Sequence, residues 1–218
     1  MSSSYEKHAI AFQRAREASA IGLNAVLEWA KRLDPACEVL DLACGSGKPL
    51  ALGLVQKGFR VHGIDHSPTL VQAFQLAIPQ APVHCENILE SHFWGKKFRA
   101  IIAVGIIFLL DEDEQKQLLL RVASALEDQA HFLLSAPTQV CQWRDVLTGS
   151  ISISLGRDAY LAICHQLGLK FVDEFSDEGE NHYFAFQKIG NGCDKVSSPL
   201  IPRSANQRNA SSMSALRS

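Results

Sequence analysis

Two carboxylates and a glycine-rich turn are the residues of this chain whose types and spacing point most directly to chemistry. Val39 to Leu54 reads VLDLACGSGKPLALGL: an apolar run that includes Asp41, a small-residue turn through Ala43, Cys44, Gly45, Ser46 and Gly47, and an apolar run from Leu50. A second apolar run, Val61-His62-Gly63-Ile64, ends in Asp65. Glycine has no Cβ and tolerates positive φ, so such a turn lets backbone approach a ligand closely. The amides of the helix start that follows favour electron-rich ligand atoms. An acid ending the second strand accepts hydrogen bonds from ribose hydroxyls, so the order strand, glycine turn, helix, strand, acid is the layout of a nucleotide site.

Two better-known glycine motifs do not fit. A phosphate-gripping loop needs G-x-x-x-x-G-K-[ST]; here Pro49 replaces the Ser/Thr after Lys48, and Leu42 stands where the first glycine belongs. A dinucleotide fingerprint needs G-x-G-x-x-G, and its third place is Leu50, where glycine would permit close helix–strand packing.

At these residues the chain resembles the class I S-adenosylmethionine-dependent methyltransferases. In that family an acid ends the first strand, a glycine-rich turn follows and a second acid ends the second strand; Asp41, Ala43, Gly45, Gly47 and Asp65 fall on those places, with Ala43 departing from the usual glycine. The resemblance covers about Tyr5 to Lys188 and implies an enzyme that uses S-adenosylmethionine as methyl donor. It implies cofactor contacts from those five residues and from His66, Asn87, Ile88 and Val104. Asn87 falls where the family places an acid for the adenine amino group, with the Ile88 amide beside it; Glu86 is the alternative at that place. A helix ahead of the first strand lids the cofactor and acceptor in the family, which makes Tyr5, His8 and Phe12 candidates for the lid. The segment after the fourth strand, Gly105 to Leu110, holds no acid or histidine, and no Asp-Pro-Pro-Tyr or Asn-Pro-Pro-Tyr motif of base and glutamine-amide methylation. Gly105, Ile106 and Phe108 can shape an apolar floor there.

The elements that must position these groups follow from periodicity. Ser4 to Arg32 reads as helix, broken near Gly22. Strands are expected at Glu38–Leu42, Arg60–Ile64, Pro82–Cys85, Phe98–Val104, Ala130–Ser135, Lys170–Phe175 and His182–Lys188. Helices are expected at Pro49–Gln56, from Ser67-Pro68 to before Pro79, at Asp111–Leu126 with Asp111 as cap and Glu114 in its first turn, and at Arg157–Leu167. Ala136 to Gly156 is a long connection of the kind that is usually functional, and its Ser150–Leu155 end alternates enough to be a strand. The fold class is therefore α/β: a doubly wound, mainly parallel seven-stranded sheet with an antiparallel last strand. One domain over residues 1–189, with an N-terminal helical lid at 4–32, is followed by a Ser- and Asn-rich tail at 190–218 read as disordered.

Ligands of such sheets bind beyond the carboxyl ends of the parallel strands. The sixth strand is parallel, so its turn into the seventh, Ser176 to His182, opens on the same edge as the glycine turn. His182 is the candidate general base, because histidine is suited to proton transfer near neutrality, and Glu180 is the candidate for holding a cationic amine. Trp143 and Phe108 are candidates for the acceptor's apolar wall.

Composition narrows the partners. At 218 residues, 47% hydrophobic and 20% charged, the chain suits one domain with a sizeable core. A net charge of −2 and the lack of a Lys/Arg-rich run give no nucleic-acid footprint. Six cysteines form no C-x-x-C pair, so no metal site is expected, and the start MSSSYEKHAIAFQRAREAS has no signal-peptide pattern. The longest apolar run, Ala100 to Leu110, is too short to span a bilayer. The expectation is a cytoplasmic methyltransferase acting on a small molecule; its oligomeric state is left open. The other readings are a non-catalytic S-adenosylmethionine-binding protein of regulatory or scaffolding kind, and a nicotinamide oxidoreductase, against which Leu50 counts.

Overall fold

The alternation of short apolar runs with amphipathic segments builds a sheet covered by helices on both faces. The computed structural model describes residues 4–145 and 149–190. The elements run α1 (Ser4–Glu17), α2 (Leu23–Ala30), β1 (Glu38–Leu42), α3 (Leu50–Gln56), β2 (Arg60–Asp65), α4 (Pro68–Ala77), β3 (Val83–Cys85), β4 (Phe98–Ala103), α5 (Glu112–Ala125), β5 (Leu126–Ser135), β6 (Val140–Arg144), β7 (Ile151–Leu155), α6 (Arg157–Gln166), β8 (Leu169–Ser176) and β9 (His182–Lys188). Seven strands form one sheet in the order β3-β2-β1-β4-β5-β9-β8, and β6 pairs with β7 in a separate ribbon. β3, β2, β1, β4 and β5 are parallel, whereas β9 runs antiparallel to both β5 and β8. The expected sheet and its antiparallel last strand are both present.

Side chains alternate between two cores because successive residues of a strand point to opposite faces. Val39, Ala100, Ile102, Leu133, Tyr183 and Ala185 face α2, α3 and α4, where Val26, Trp29, Leu54 and Phe74 lie. Leu40, Ile101, Phe132, Leu134, Phe184 and Phe186 face α5 and α6 with Leu118, Val122 and Tyr160. Strands buried on both faces are continuously apolar, which is why β4 is uninterruptedly hydrophobic from Ala100 to Ala103. Helix starts follow their caps: the Ser67 hydroxyl accepts from the Leu70 amide ahead of α4, and Asp111 and Glu114 form a capping box at α5.

Three elements differ from the sequence expectation. β5 begins at Leu126 rather than Ala130, because α5 passes directly into extended backbone at its C-cap. Glu127-Asp128-Gln129 reads as a polar turn in sequence, yet it continues the strand, with a register irregularity against β4. In the connection from Ala136 to Gly156, Val140–Arg144 and Ile151–Leu155 pair as a ribbon, with Trp143 opposite Ser152 and Gln142 opposite Ile153. The expected lid at 4–32 divides at Gly22: Val26, Trp29 and Ala30 of α2 are core, and only α1 lies over the site. The expected disordered tail lies, apart from Gly190, outside the described residues. Among the described residues no helix is long and apolar enough to cross a membrane, no group of side chains could hold a metal ion, and the five cysteines are free thiols.

Gln115, on α5, ties the ribbon to the sheet. Its Nε2 donates to the Leu110 and Ile153 carbonyls at 3.0 and 2.9 Å, and its Oε1 accepts from the Tyr160 hydroxyl at 2.8 Å. That hydroxyl accepts in turn from the Leu155 amide at 3.2 Å. Gln115 is fully buried, so Gln115→Leu takes the acceptor from the Tyr160 hydroxyl and the side-chain donor from two carbonyls. A stability loss of about 1–3 kcal/mol is expected in denaturant unfolding, with faster amide hydrogen exchange in β6 and β7.

Candidate active site

The turn after β1 and the acid after β2 are built as one unit. The Asp65 carboxylate accepts from the Gly45 amide through Oδ2 and from the Ser67 amide through Oδ1, both at 2.9 Å. It thereby fixes the glycine turn against the start of α4. Ala43 and Gly45 both take φ of 57°, the left-handed region. For Ala43 that conformation carries roughly 1–2 kcal/mol of strain that glycine would avoid. Gly47 is needed for a different reason: with φ of +78°, a Cβ on it would sit 2.8 Å from Phe74 and 2.9 Å from Ile78.

A cavity of about 260 Å³ opens over this unit at the carboxyl edge of the parallel strands, lined by Asp41, Ala43, Gly45, Asp65, His66 and Val104. Asp41 and Asp65 are both buried. Burial, and then the neighbouring Asp65 charge, pushes the Asp41 carboxyl up to about 8. Burial also raises the Asp65 carboxyl, against the pull of the two amides it accepts. The cavity is thus a place where two carboxylates lack water, and a cationic ligand would restore their charged forms. Arg16 of α1 reaches the same cavity. α1 is anchored there through Glu6, whose carboxylate accepts from the Ser67 and Thr69 hydroxyls at the start of α4. On the far side Tyr183 donates to Asp177 at 2.9 Å, and Asp177 also accepts the Gly179 and Asn181 amides of the β8–β9 turn. The start of α2 presses on this turn: a Cβ at Gly22 would lie 2.6 Å from the Tyr183 hydroxyl.

A second cavity, of about 490 Å³, adjoins the first and shares Phe108, Ser135 and Asn181 with it. The Ser135 hydroxyl accepts from the Gly105 amide at 2.8 Å, which joins the crests of β4 and β5 at this junction. Trp143 and Phe108 form one wall, with ring centroids 5.4 Å apart. Glu180 and His182 lie opposite. Tyr183 and His182, adjacent on β9, point to opposite faces of the sheet and so reach different cavities.

Of the residues expected from sequence, Asp41, Ala43, Gly45, Asp65, His66 and Val104 come together on the first cavity. Gly47 packs behind it. Phe108, Trp143, Glu180 and His182 line the second. Asn87 and Ile88 stand apart from both: Ile88 is buried in the core, and the Asn87 side-chain oxygen accepts from the Leu89 amide at 3.0 Å. The alternative, Glu86, is engaged by His84 and Ser91. Tyr5 lies in α1, and its side chain, like that of Phe12, is outside the described residues. Arg16, Ser135 and Tyr183 are cavity residues that sequence reasoning missed. Nothing in the spacing of α1 separates Arg16 from Arg14, but Ser135 and Tyr183 could have been found as the residues at the carboxyl edge of two expected strands.

Residues 39–129 match the family model described as a methyltransferase domain. No curated protein matches the chain by sequence. Among solved structures, a TehB-like SAM-dependent methyltransferase from Corynebacterium glutamicum superposes with a TM-score of 0.66 at 16% identity, over 86% of this chain and 100% of that one. A 1,6-didemethyltoxoflavin-N1-methyltransferase from Burkholderia thailandensis, with bound 1,6-didemethyltoxoflavin and S-adenosylhomocysteine, gives 0.63 at 14% identity over 76% and 77%. A magnesium protoporphyrin IX methyltransferase from Synechocystis with bound S-adenosylhomocysteine gives 0.63 at 19% over 76% and 81%. The glycine turn held by a buried aspartate, the sheet order and the matched segment agree: residues 39–129 match a methyltransferase domain, and the chain has the fold of the class I S-adenosylmethionine-dependent methyltransferases.

Proposed function

We propose that this methyltransferase moves a methyl group from S-adenosylmethionine to a small-molecule acceptor, with the cofactor in the first cavity and the acceptor in the second. The observation that carries the reading is the junction of two cavities at Phe108, Ser135 and Asn181, beyond the carboxyl ends of the parallel strands. The first cavity's donor set fits the cofactor. Its sulfonium and ammonium charges suit the buried Asp41 and Asp65, its carboxylate suits Arg16, and its ribose hydroxyls suit Asp65, whose oxygens can each accept more than one hydrogen bond. Leu50, where a dinucleotide fingerprint has its third glycine, disfavours the oxidoreductase reading. His66, Ala43, Gly45 and Val104 shape the remaining contact surface. Asn87 and Ile88, one turn beyond β3, are proposed for the adenine ring, where the second lone pair of the Asn87 oxygen remains to accept.

Bound S-adenosylmethionine supplies a methyl group already activated as a sulfonium. The protein's own work is then alignment and exclusion of water, and positioning alone can supply about 7–11 kcal/mol of a barrier. Phe108 and Trp143 hold the acceptor's flank. α1, pinned by Glu6 and bearing Tyr5, covers the cofactor side. His182 and Glu180 are the groups proposed to meet the acceptor, the first taking a proton and the second holding a cation. Titratable groups in the second cavity also favour catalysis over a binding-only role, since a binding protein needs neither.

Two outcomes test this. Asp65→Ala is expected to weaken adenosylhomocysteine binding at least about tenfold in calorimetry, through the lost sugar contact and the freed Gly45 amide; undiminished binding would remove the ribose assignment. Asp41 has a folded-state pKa above its unfolded value, so its contribution to stability is present at low pH and is lost as pH rises toward about 8. Asp41→Asn should therefore unfold at higher denaturant than the parent at pH 8 and at a similar one at pH 4, while binding the cofactor more weakly. A stability difference between variant and parent that does not grow from pH 4 to pH 8 would contradict the buried, uncompensated acid.

A further inference from the structure

We infer, on the reading that the second cavity takes the acceptor, that this acceptor is a planar ring bearing a phenolic O–H or a ring N–H, laid against Phe108 and Trp143 and deprotonated by Nδ1 of His182. The cavity is two-sided. One side is the Phe108–Trp143 pair, whose ring planes meet at 47° and present contiguous aromatic surface. A planar ring gains offset or edge contacts from such a wall that a compact aliphatic amine does not. The other side is the β8–β9 hairpin, where Ser176 pairs with His182 and Glu174 with Phe184. Glu174, Ser176 and His182 consequently share one face of the sheet.

The histidine's two nitrogens have different surroundings. Nε2 is buried without a hydrogen-bond partner, its nearest carboxylate oxygen being Glu174 Oε2 at 3.6 Å, while Nδ1 is 3.3 Å from the Ser176 hydroxyl, and both Ser176 and His182 line the cavity. A carboxylate beside Nε2 keeps the ring proton there and leaves Nδ1 as the acceptor. Glu174 is itself oriented by Arg157, whose Nε donates to both carboxylate oxygens at 3.1 and 2.8 Å, and this contact holds the carboxyl below its usual range. The charged groups around His182 are therefore Glu174 on β8, Arg157 on α6 and Glu180 in the turn. Glu180 is the only carboxylate among the described residues lining the second cavity, and it is exposed at the hairpin tip, where water screens it. That arrangement serves proton removal better than capture of a cation. The acceptor's O–H or N–H proton goes to Nδ1, its electron pair forms the bond to the methyl carbon, and the pair of the broken carbon–sulfur bond stays on sulfur as the neutral thioether. His182 is the catalytic base and Glu174 a positioning residue.

The test uses 2-naphthol and benzimidazole as planar probes and cyclohexylamine as the cationic one, on protein first shown by calorimetry to bind adenosylhomocysteine. Both planar probes should quench tryptophan fluorescence of the adenosylhomocysteine complex in the parent and not in Trp143→Phe, and should be methylated when S-adenosylmethionine replaces the product. Methylation of cyclohexylamine alone, or planar probes that neither bind nor react on protein that holds adenosylhomocysteine, overturns the inference. Failure to bind adenosylhomocysteine at all strikes the underlying reading instead. His182→Asn should lower turnover about 10²–10⁴-fold with KM little changed. Glu174→Ala should lower turnover with KM little changed and weaken the preference for the Nε2–H tautomer. Nitrogen-15 NMR of the parent should show the Nε2–H tautomer; an Nδ1–H tautomer, or an unchanged tautomer preference in Glu174→Ala, overturns the assignment of the base.

Discussion

The Asp65 carboxylate, out of water and held by two backbone amides, is the contact on which the site depends. One oxygen holds the turn after β1 through Gly45, and the other holds the start of α4 through Ser67. Buried carboxylates are costly unless hydrogen-bonded, and the amide bonds offset part of that cost. The remainder shows as a raised carboxyl on Asp65 and a more strongly raised one on Asp41. A fold that keeps two such acids at the mouth of one cavity is arranged for a ligand that brings positive charge. The left-handed Ala43 belongs to the same arrangement, because strain of this kind persists only where the surroundings over-determine the backbone.

The two-residue period of a strand does the rest of the dividing. On β9, Tyr183 turns toward α2 and closes the first cavity through Asp177, while His182 turns toward α6 and lies 3.6 Å from Glu174. One strand thus serves both cavities without a loop to carry either residue. Because β9 runs antiparallel to its neighbours, it begins where they end, which brings the hairpin tip to the ligand edge. The ribbon of β6 and β7 completes the wall of the second cavity through Trp143. It holds Trp143 in place through a buried glutamine on another element rather than through ladder contacts with the main sheet.

Much of this was legible in the sequence, for local reasons. The D-L-A-C-G-S-G run and the G-I-D run each lie within a few residues, so the turn and the acid could be read from spacing. Element starts were legible where a side chain caps its own helix, as at Ser67 and Asp111. The entry into β5 was not, because Glu127-Asp128-Gln129 is a polar run that the strand carries as an irregularity between Leu126, opposite Phe98, and His131, opposite Ala100. β6 was missed for the same kind of reason: Val140-Cys141-Gln142-Trp143-Arg144 has no persuasive alternation, and its partner β7 supplies the ladder.

By itself, the sequence determined the fold class, the glycine turn with its two acids, and which end of the sheet carries the ligands, because each follows from short-range pattern and from the handedness of βαβ connections. Tertiary structure alone decided which polar side chains meet. Arg16 reaches the cavity only because α1 is tied back onto α4, and Glu174 stands behind His182 only because the β8–β9 register aligns them. Such pairings depend on register and helix docking, which are set by burial across the whole core and leave no mark on any short stretch of chain.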